Sequence, residues 1–569
     1  MGSQFPKPQR THAKTISVTS ETSREIINIS SIQRKKKFGS GKYAEVELDP
    51  QPSDCPQDPL NWPQWKKELA YGSLLLSTAV ISIFKMMLVT VGGVLEAELT
   101  SSWEGVAALT GVPIILGGLF GLKSVIISRM IGKRTIYLLS SIGLLLSSLW
   151  TMHVTGNYKE FLISRAFSGI CWGSFEALVV ISIKDMFFMH ERSSRITIYN
   201  VVSIIFTWGS PMLGGYVSQI NEGYKNQIMV VNIMQAASIV LVIFITPETT
   251  YNRDRSNDLR TLLRATTITT ISAPPSSGLK VYLSSLRPTN PNATSKFQLS
   301  TVLLYIRAFF APTVALGFLL TGPIYATAIA VSYLLPLLFT TNPNMELPNQ
   351  LGLLFLGPLV ASVIGSVVVG LASYVRSRPL NDVSTRRRSH LGSTIPGSLI
   401  GCGSLIGFGF YIDSGNPVVP SAFGNAWRGD DEVRINENLV TLIFGLLVSG
   451  TMLTHIATVN HIRSASRISV ENDALESAYN VLQSILTGLY VVGMPLWVGG
   501  NEGFDMFPTL KLTVLGMALV QIVIAGAAAG LLLVTGEFVM KLDGRVLGRR
   551  EAVEEEDGKW RGEDIFMDR

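Results

Sequence analysis

Only a few ionisable residues of this chain interrupt long apolar stretches: Lys85, Lys123, Arg165 and Glu176, with Asp185 just beyond. Arg165 and Glu176 are eleven residues apart. At about 100° per residue that is close to three helical turns, so one helix face carries both. The face offers a cation toward one end and a carboxylate toward the other. A carboxylate shielded from bulk water is able to take and release a proton near neutral pH. Glu176 is therefore either a proton or solute site or a structural partner, with Lys123 at similar depth on a neighbouring helix as the expected mate. Lys85 either meets a polar solute or lifts its ammonium to an interface along its flexible stem. The second half of the chain carries almost no charge inside its apolar stretches, His455 being the exception.

The elements that position these residues must cross a bilayer. Twelve apolar segments, six on each side of a polar basic stretch at about Asp254–Leu299, are long enough to span a hydrocarbon core of about 30 Å. The first six are expected at Leu69–Leu95, Gly105–Ser128, Thr135–His153, Glu160–Lys184, Thr197–Gln219 and Gln227–Thr246. The second six are expected at Ala311–Phe339, Gln350–Tyr374, Ser393–Ile412, Asn438–Asn460, Leu475–Val498 and Pro508–Val534. An isolated crossing strand would leave backbone groups unsatisfied in lipid, so helix is predicted throughout. The predicted fold class is an all-α membrane protein, with twelve transmembrane helices in two six-helix pseudo-symmetric halves. Its divisions are an N-terminal tail (1–64), a six-helix bundle (65–246), a central loop (247–307), a second bundle (308–535) and a C-terminal tail (536–569).

Composition agrees. Hydrophobic residues make up 47% and charged residues 15% of the 569, against about 25% charged in a soluble protein. The net charge of +6 does not point to nucleic acid, because the basic residues lie in loops and tails. With the N-terminus in the cytosol, most of the 47 Lys and Arg fall on the cytosolic side, as membrane topology requires. Both termini are then cytosolic. Because the start is polar, no cleavable leader is expected, and the first span is expected to act as a signal-anchor. The tail is expected to be mostly disordered, its basic run Arg34–Lys37 either solvated or touching anionic lipid.

Several smaller features complete the pattern. Ser272–Gly278 is a breaker-rich linker. The sequon Asn292-Ala-Thr294 falls in the cytosol and is expected to go unused. The outer loop Asp413–Glu437 either folds over the outer mouth or merely connects. Cys55, Cys171 and Cys402 form no Cys-x-x-Cys or Cys/His set, so neither metal nor disulfide is implied, and no cofactor is expected. In the fifth span, Pro211 permits a bend and Gly214 and Gly215 permit close helix approach. Gly322-Pro323, Pro336 and Pro495 are further bend points.

These residues resemble the major facilitator superfamily over about Asp58 to Val534. Arg165-Ala-Phe-Ser-Gly169 looks like its fourth-helix motif, whose arginine the resemblance links to proton coupling. Ser210-Pro211-x-x-Gly214-Gly215 is similar to the fifth-helix motif of antiporters, with Ser210 in place of the usual glycine. Gly132-Lys133-Arg134 matches the end of the loop motif after the second helix. Arg129 stands at that motif's acidic position, which puts in doubt the interdomain latch associated with the acid. Asp58–Lys67, Glu176, Asp185–Arg192 and Pro247–Tyr251 resemble the fungal drug:proton antiporter branch.

The resemblance implies a monomer that exports a small organic molecule in exchange for protons across the bilayer, the plasma membrane being favoured and a vacuolar or vesicular one open. Two halves would rock about a central cavity. Protonation of Glu176 or Asp185, tuned by Arg165, would favour one orientation. Lys85 of the first span is expected to line the cavity, as are Tyr325 and Tyr333 of the seventh, a span also rich in Phe309, Phe310 and Phe318. Rival readings are a proton-coupled uptake carrier and a non-transporting sensor. An enzyme is disfavoured, because no nucleophile elbow, His-rich set or Cys/His pair falls in the spans.

Overall fold

The computed structural model describes residues 37–38, 48–53, 58–219, 223–251, 299–340, 346–376, 392, 394–415, 436–466, 468–499 and 510–548. Arg34–Lys36 of the basic run, Cys55, the linker Ser272–Gly278, the sequon at Asn292 and most of the loop Asp413–Glu437 lie outside the described residues. The chain forms two compact units, Met1–Pro52 and Ser53–Arg569. In the first, Leu48 donates its backbone N–H to the Lys37 carbonyl at 3.1 Å. The Gln51 side chain brackets the same Lys37 backbone.

In the second unit every regular element among the described residues is helical. Among the described residues, twelve helices are long and apolar enough to cross a membrane: Gln64–Leu99, Trp103–Ile131, Lys133–His153, Tyr158–Met186, Met189–Val217, Tyr224–Ile245, Pro312–Thr340, Pro348–Val368, Thr394–Tyr411, Glu437–Arg463, Ser469–Val498 and Leu510–Val534. They are spans 1 to 12 below. The end where span 1 begins and span 12 finishes is the near end; the opposite is the far end.

Local chemistry sets the boundaries. Ser102, Asn157 and Asn436 cap spans 2, 4 and 10 with side-chain oxygens that accept orphan backbone N–H groups. Gly132, at φ 96°, turns span 2 directly into span 3, a conformation that costs a residue with a Cβ. Span 1 is interrupted by a 3-10 stretch at Met87–Val91 before resuming at Gly92–Leu99. Several helices outrun their apolar cores. Span 5 starts at Met189 and span 11 at Ser469, each some residues before its hydrophobic run, because the added turns carry polar groups that find partners at the near end. Two further helices, Leu299–Ala308 and Gly536–Leu547, form in segments expected as loop and tail.

The halves repeat one another. Span 1 packs on 5 and 6, span 2 on 4, and span 3 on 4 and 6. Six spans later, 7 packs on 11 and 12, 8 on 10, and 9 on 10 and 12. The halves meet mainly along spans 2 and 11 and along spans 5 and 8. Large side chains such as Leu139, Leu146, Phe244 and Val523 point outward, as expected of a bundle solvated by lipid.

Candidate functional site

A cavity of about 350 Å³ lies between the halves, running from Lys85 and Trp172 at mid-depth to Arg463, Asp473 and Glu476 at the near end. Lys85 sits in the last turn of the first segment of span 1, just before the 3-10 break. Its ammonium forms an ion pair with the Glu176 carboxylate of span 4. The side chains remain 27% and 18% exposed, so the pair stays open to a solute or a proton. The expected mate of Glu176 is corrected here. Lys123 is exposed and its ammonium lies 5.2 Å from the Phe120 ring, because that part of span 2 faces outward. Glu176 pairs instead across to span 1.

Tyr325 lines the cavity, tilted against His455 with ring centroids 4.8 Å apart. His455 Nδ1 lies 3.0 Å from Tyr479 Oη, which in turn shares a hydrogen bond with Thr321. Tyr333 does not line the main cavity. It borders a smaller pocket toward the far end and donates to the Lys85 carbonyl at 3.4 Å, joining span 7 to span 1. Arg165 is fully buried and does not pair with Glu176. Its Nε donates to the Leu109 carbonyl at 3.4 Å, and its guanidinium lies 4.7 Å from the Phe84 ring and 5.7 Å from the Trp172 ring. A buried guanidinium on aromatic faces gains cation–π attraction and braces the cavity wall behind Trp172.

The near end holds an ion network that crosses between the halves. Lys184 of span 4 donates to Asp473 at 2.8 Å and to Glu476 at 3.1 Å, both on span 11. Arg463, at the end of span 10, pairs with the other Glu476 oxygen. Arg129 of span 2 comes within 3.9 Å of Asp473. The expectation that the second half is nearly free of buried charge is therefore wrong: Asp473 and Glu476 are both buried. Glu476 stands inside the expected eleventh span. Arg463 and Asp473 stand just outside expected ends, where charge looks like solvated loop. The signal was the carboxylate spacing Asp473–Glu476, one helical turn, facing a lysine that closes span 4.

Asp185 does not reach the cavity. It pairs with Lys133 at the start of span 3. Glu248 accepts the backbone N–H groups of Lys133 and Arg134, each at 3.1 Å, and Arg134 donates to the Ile243 carbonyl at 2.6 Å. Three motifs prominent in the sequence, at Gly132–Arg134, Asp185–Arg192 and Pro247–Tyr251, thus converge in one cluster within the first half. Arg192 extends it by donating to the Phe187 and Lys184 carbonyls.

At the far end, Ser210, Pro211, Gly214 and Gly215 shape where span 5 meets its neighbours. Ser210 Oγ bonds back to the Thr207 carbonyl at 2.9 Å. A Cβ on Gly214 would sit 2.7 Å from the Met87 carbonyl oxygen of span 1, and one on Gly215 would overlap the Pro348 carbonyl of span 8. The motif is therefore a pair of close approaches, one within the first half and one between halves.

Comparison with known proteins agrees with this architecture. A family profile described as Major Facilitator Superfamily matches residues 74–460. The chain is 29% identical over 217 residues to an uncharacterized MFS-type transporter of Schizosaccharomyces pombe, covering 38% of this chain but 37% of that relative. It is 22% identical over 388 residues to the MFS transporter cpaT of Aspergillus oryzae, covering 66% of this chain and 74% of the relative. It is 27% identical over 152 residues to the MFS antiporter QDR3 of Candida albicans, covering 27% and 22%.

Proposed function

The chain belongs to the Major Facilitator Superfamily, and from that premise we propose that it exports a small organic molecule in exchange for protons, with its near end in the cytosol. The observation that carries the proposal is the Lys85–Glu176 ion pair inside a cavity between two repeated halves. The name of the similar antiporter of Candida albicans supports exchange as the mode.

The Lys85–Glu176 pair supports the following coupling mechanism. With Glu176 ionised, its charge and that of Lys85 cancel within the cavity. A proton on Glu176 leaves the Lys85 ammonium uncompensated among apolar walls, which is costly. The cost falls when the cavity turns its open side to water, so protonation favours reorientation. Cargo that hydrogen-bonds Glu176 has the opposite preference, and the two ligands alternate. Trp172, Tyr199 and Tyr325 offer apolar and π surfaces, and Asn200, Asn480 and Gln483 offer amides. Such a lining suits a compact organic solute with both characters.

The test is Glu176→Gln in proteoliposomes with an imposed proton gradient. Gradient-driven flux should be abolished while cargo exchange at equal pH persists and the purified protein stays folded. Unchanged gradient-driven flux would overturn the proposal.

A further inference from the structure

We infer that Leu299–Ala308 and Gly536–Leu547 together form a docking surface for anionic lipid headgroups at the near end, whatever the cargo or the direction of transport. The first helix has ten residues, about 15 Å, too short to cross a bilayer. Its two faces differ. Leu304, Tyr305 and Ala308 are buried against the bundle, whereas Leu299, Leu303 and Ile306 are exposed. Spacings of four and three place Leu299, Leu303 and Ile306 on one stripe of the helix, and Phe310, two residues past its end, is exposed as well. Such a stripe is unsuited to water.

The second helix follows span 12 after Thr535 alone. Val539, Asp543 and Leu547 recur every four residues and are buried. Phe538, Lys541 and Arg545 lie on the opposite, exposed face. Val534, the last residue of span 12, is 85% exposed, so the lipid-facing belt of the bundle runs directly onto Phe538.

The two helices are fixed to the bundle and to each other. Asp543 accepts the Thr313 backbone N–H at 3.1 Å and the Thr313 hydroxyl, which anchors the C-terminal helix at the start of span 7. Gly548 ends that helix at φ 84°, and a Cβ there would lie 2.7 Å from Arg307 Nη1. Arg307 of the first helix therefore rests against the end of the second. The result is one surface on which Arg307, Lys541 and Arg545 flank the exposed apolar side chains. Cations beside an apolar stripe, at the depth where a membrane-spanning helix emerges, match the boundary between acyl chains and phosphate-bearing headgroups.

The test uses the purified full-length protein in mixed micelles, with phosphatidylserine or phosphatidylcholine titrated in and the thermal unfolding midpoint as the readout. Phosphatidylserine should raise the midpoint with an affinity that falls as salt rises, and phosphatidylcholine should not. Removing each cation, by Arg307→Gln, Lys541→Gln or Arg545→Gln, should weaken the apparent affinity roughly fivefold. Because a Gln variant could misfold, charge-retaining variants (Arg307→Lys, Lys541→Arg, Arg545→Lys) are measured beside them and should keep the binding. Equal response to the two lipids, or unchanged affinity in the Gln variants, would overturn the inference. So would saturation of the effect by inositol hexakisphosphate without lipid, which would mark a soluble phosphate ligand instead.

Discussion

The two ends of the interface between halves are built from different materials. At the near end, Lys184, Arg463 and Arg129 meet Asp473 and Glu476 across spans 2, 4, 10 and 11. At the far end, span 5 meets span 8 through backbone contacts at Gly215, and within the second half Glu346, between spans 7 and 8, lies beside Glu437 of span 10. Opposite charges hold one end of the interface, while bare backbone contacts hold the other. An ion network is directional and all-or-none, because parting it leaves charges without partners. Glycine contacts lose only packing when they part. The near end is thus suited to act as a lock and the far end as a sliding surface. Arg129 stands where the resemblance places an acid, and Asp473 of the other half lies 3.9 Å from it.

The largest effect should come from breaking the lock. Glu476→Gln leaves Lys184 and Arg463 sharing fewer counter-charges in a buried site, which should cost about 3–5 kcal/mol. Thermal unfolding of the purified variant measures it, and a loss below about 1 kcal/mol would reduce the network to a surface pair. Next comes the sliding surface. Gly215→Val places atoms where the Pro348 carbonyl now sits and should cost about 1–3 kcal/mol. Transport should stop in a protein that still folds, and normal flux would show that the far end need not close as tightly as here.

The smallest effect concerns the two acids. Burial and the neighbouring Glu437 carboxylate hold the Glu346 carboxyl up at about 8, against an ordinary value of 4.5. The folded chain therefore binds this proton more tightly than the unfolded chain. Its stabilising share is complete below pH 4.5 and is lost as pH rises through 8. Glu346→Gln should flatten the fall of the unfolding midpoint between pH 6 and pH 9, and an equally steep fall would remove Glu346 from the account.

The fold was legible because its cause is one-dimensional. Lipid demands apolar helices of fixed length, and that demand is written in runs such as Leu69–Leu95 and Pro508–Val534. The site was legible only in part. Lys85, Glu176 and Tyr325 stood out as polar or aromatic interruptions, and the structure places them on the cavity. Which lysine meets Glu176 depends on helix rotation, whereas sequence makes only depth visible, and depth alone favours Lys123. The lock is hidden in the sequence because Lys184, Arg463 and Asp473 lie at helix ends, where charge is the ordinary expectation in any membrane protein. Tyr305 and Phe310 show the same limit, since only the packed helix reveals that the first is buried and the second exposed.

The most direct test of the account is pulsed electron resonance between spin labels on spans 4 and 11 at the near end, followed as a function of pH. In the native protein the label distance should lengthen as pH falls and Glu176 takes its proton. In Glu176→Gln the distance should stay at its low-pH value at every pH. A variant whose distance moves with pH as the native protein's does would contradict the account, since the proton that parts the halves would then bind elsewhere.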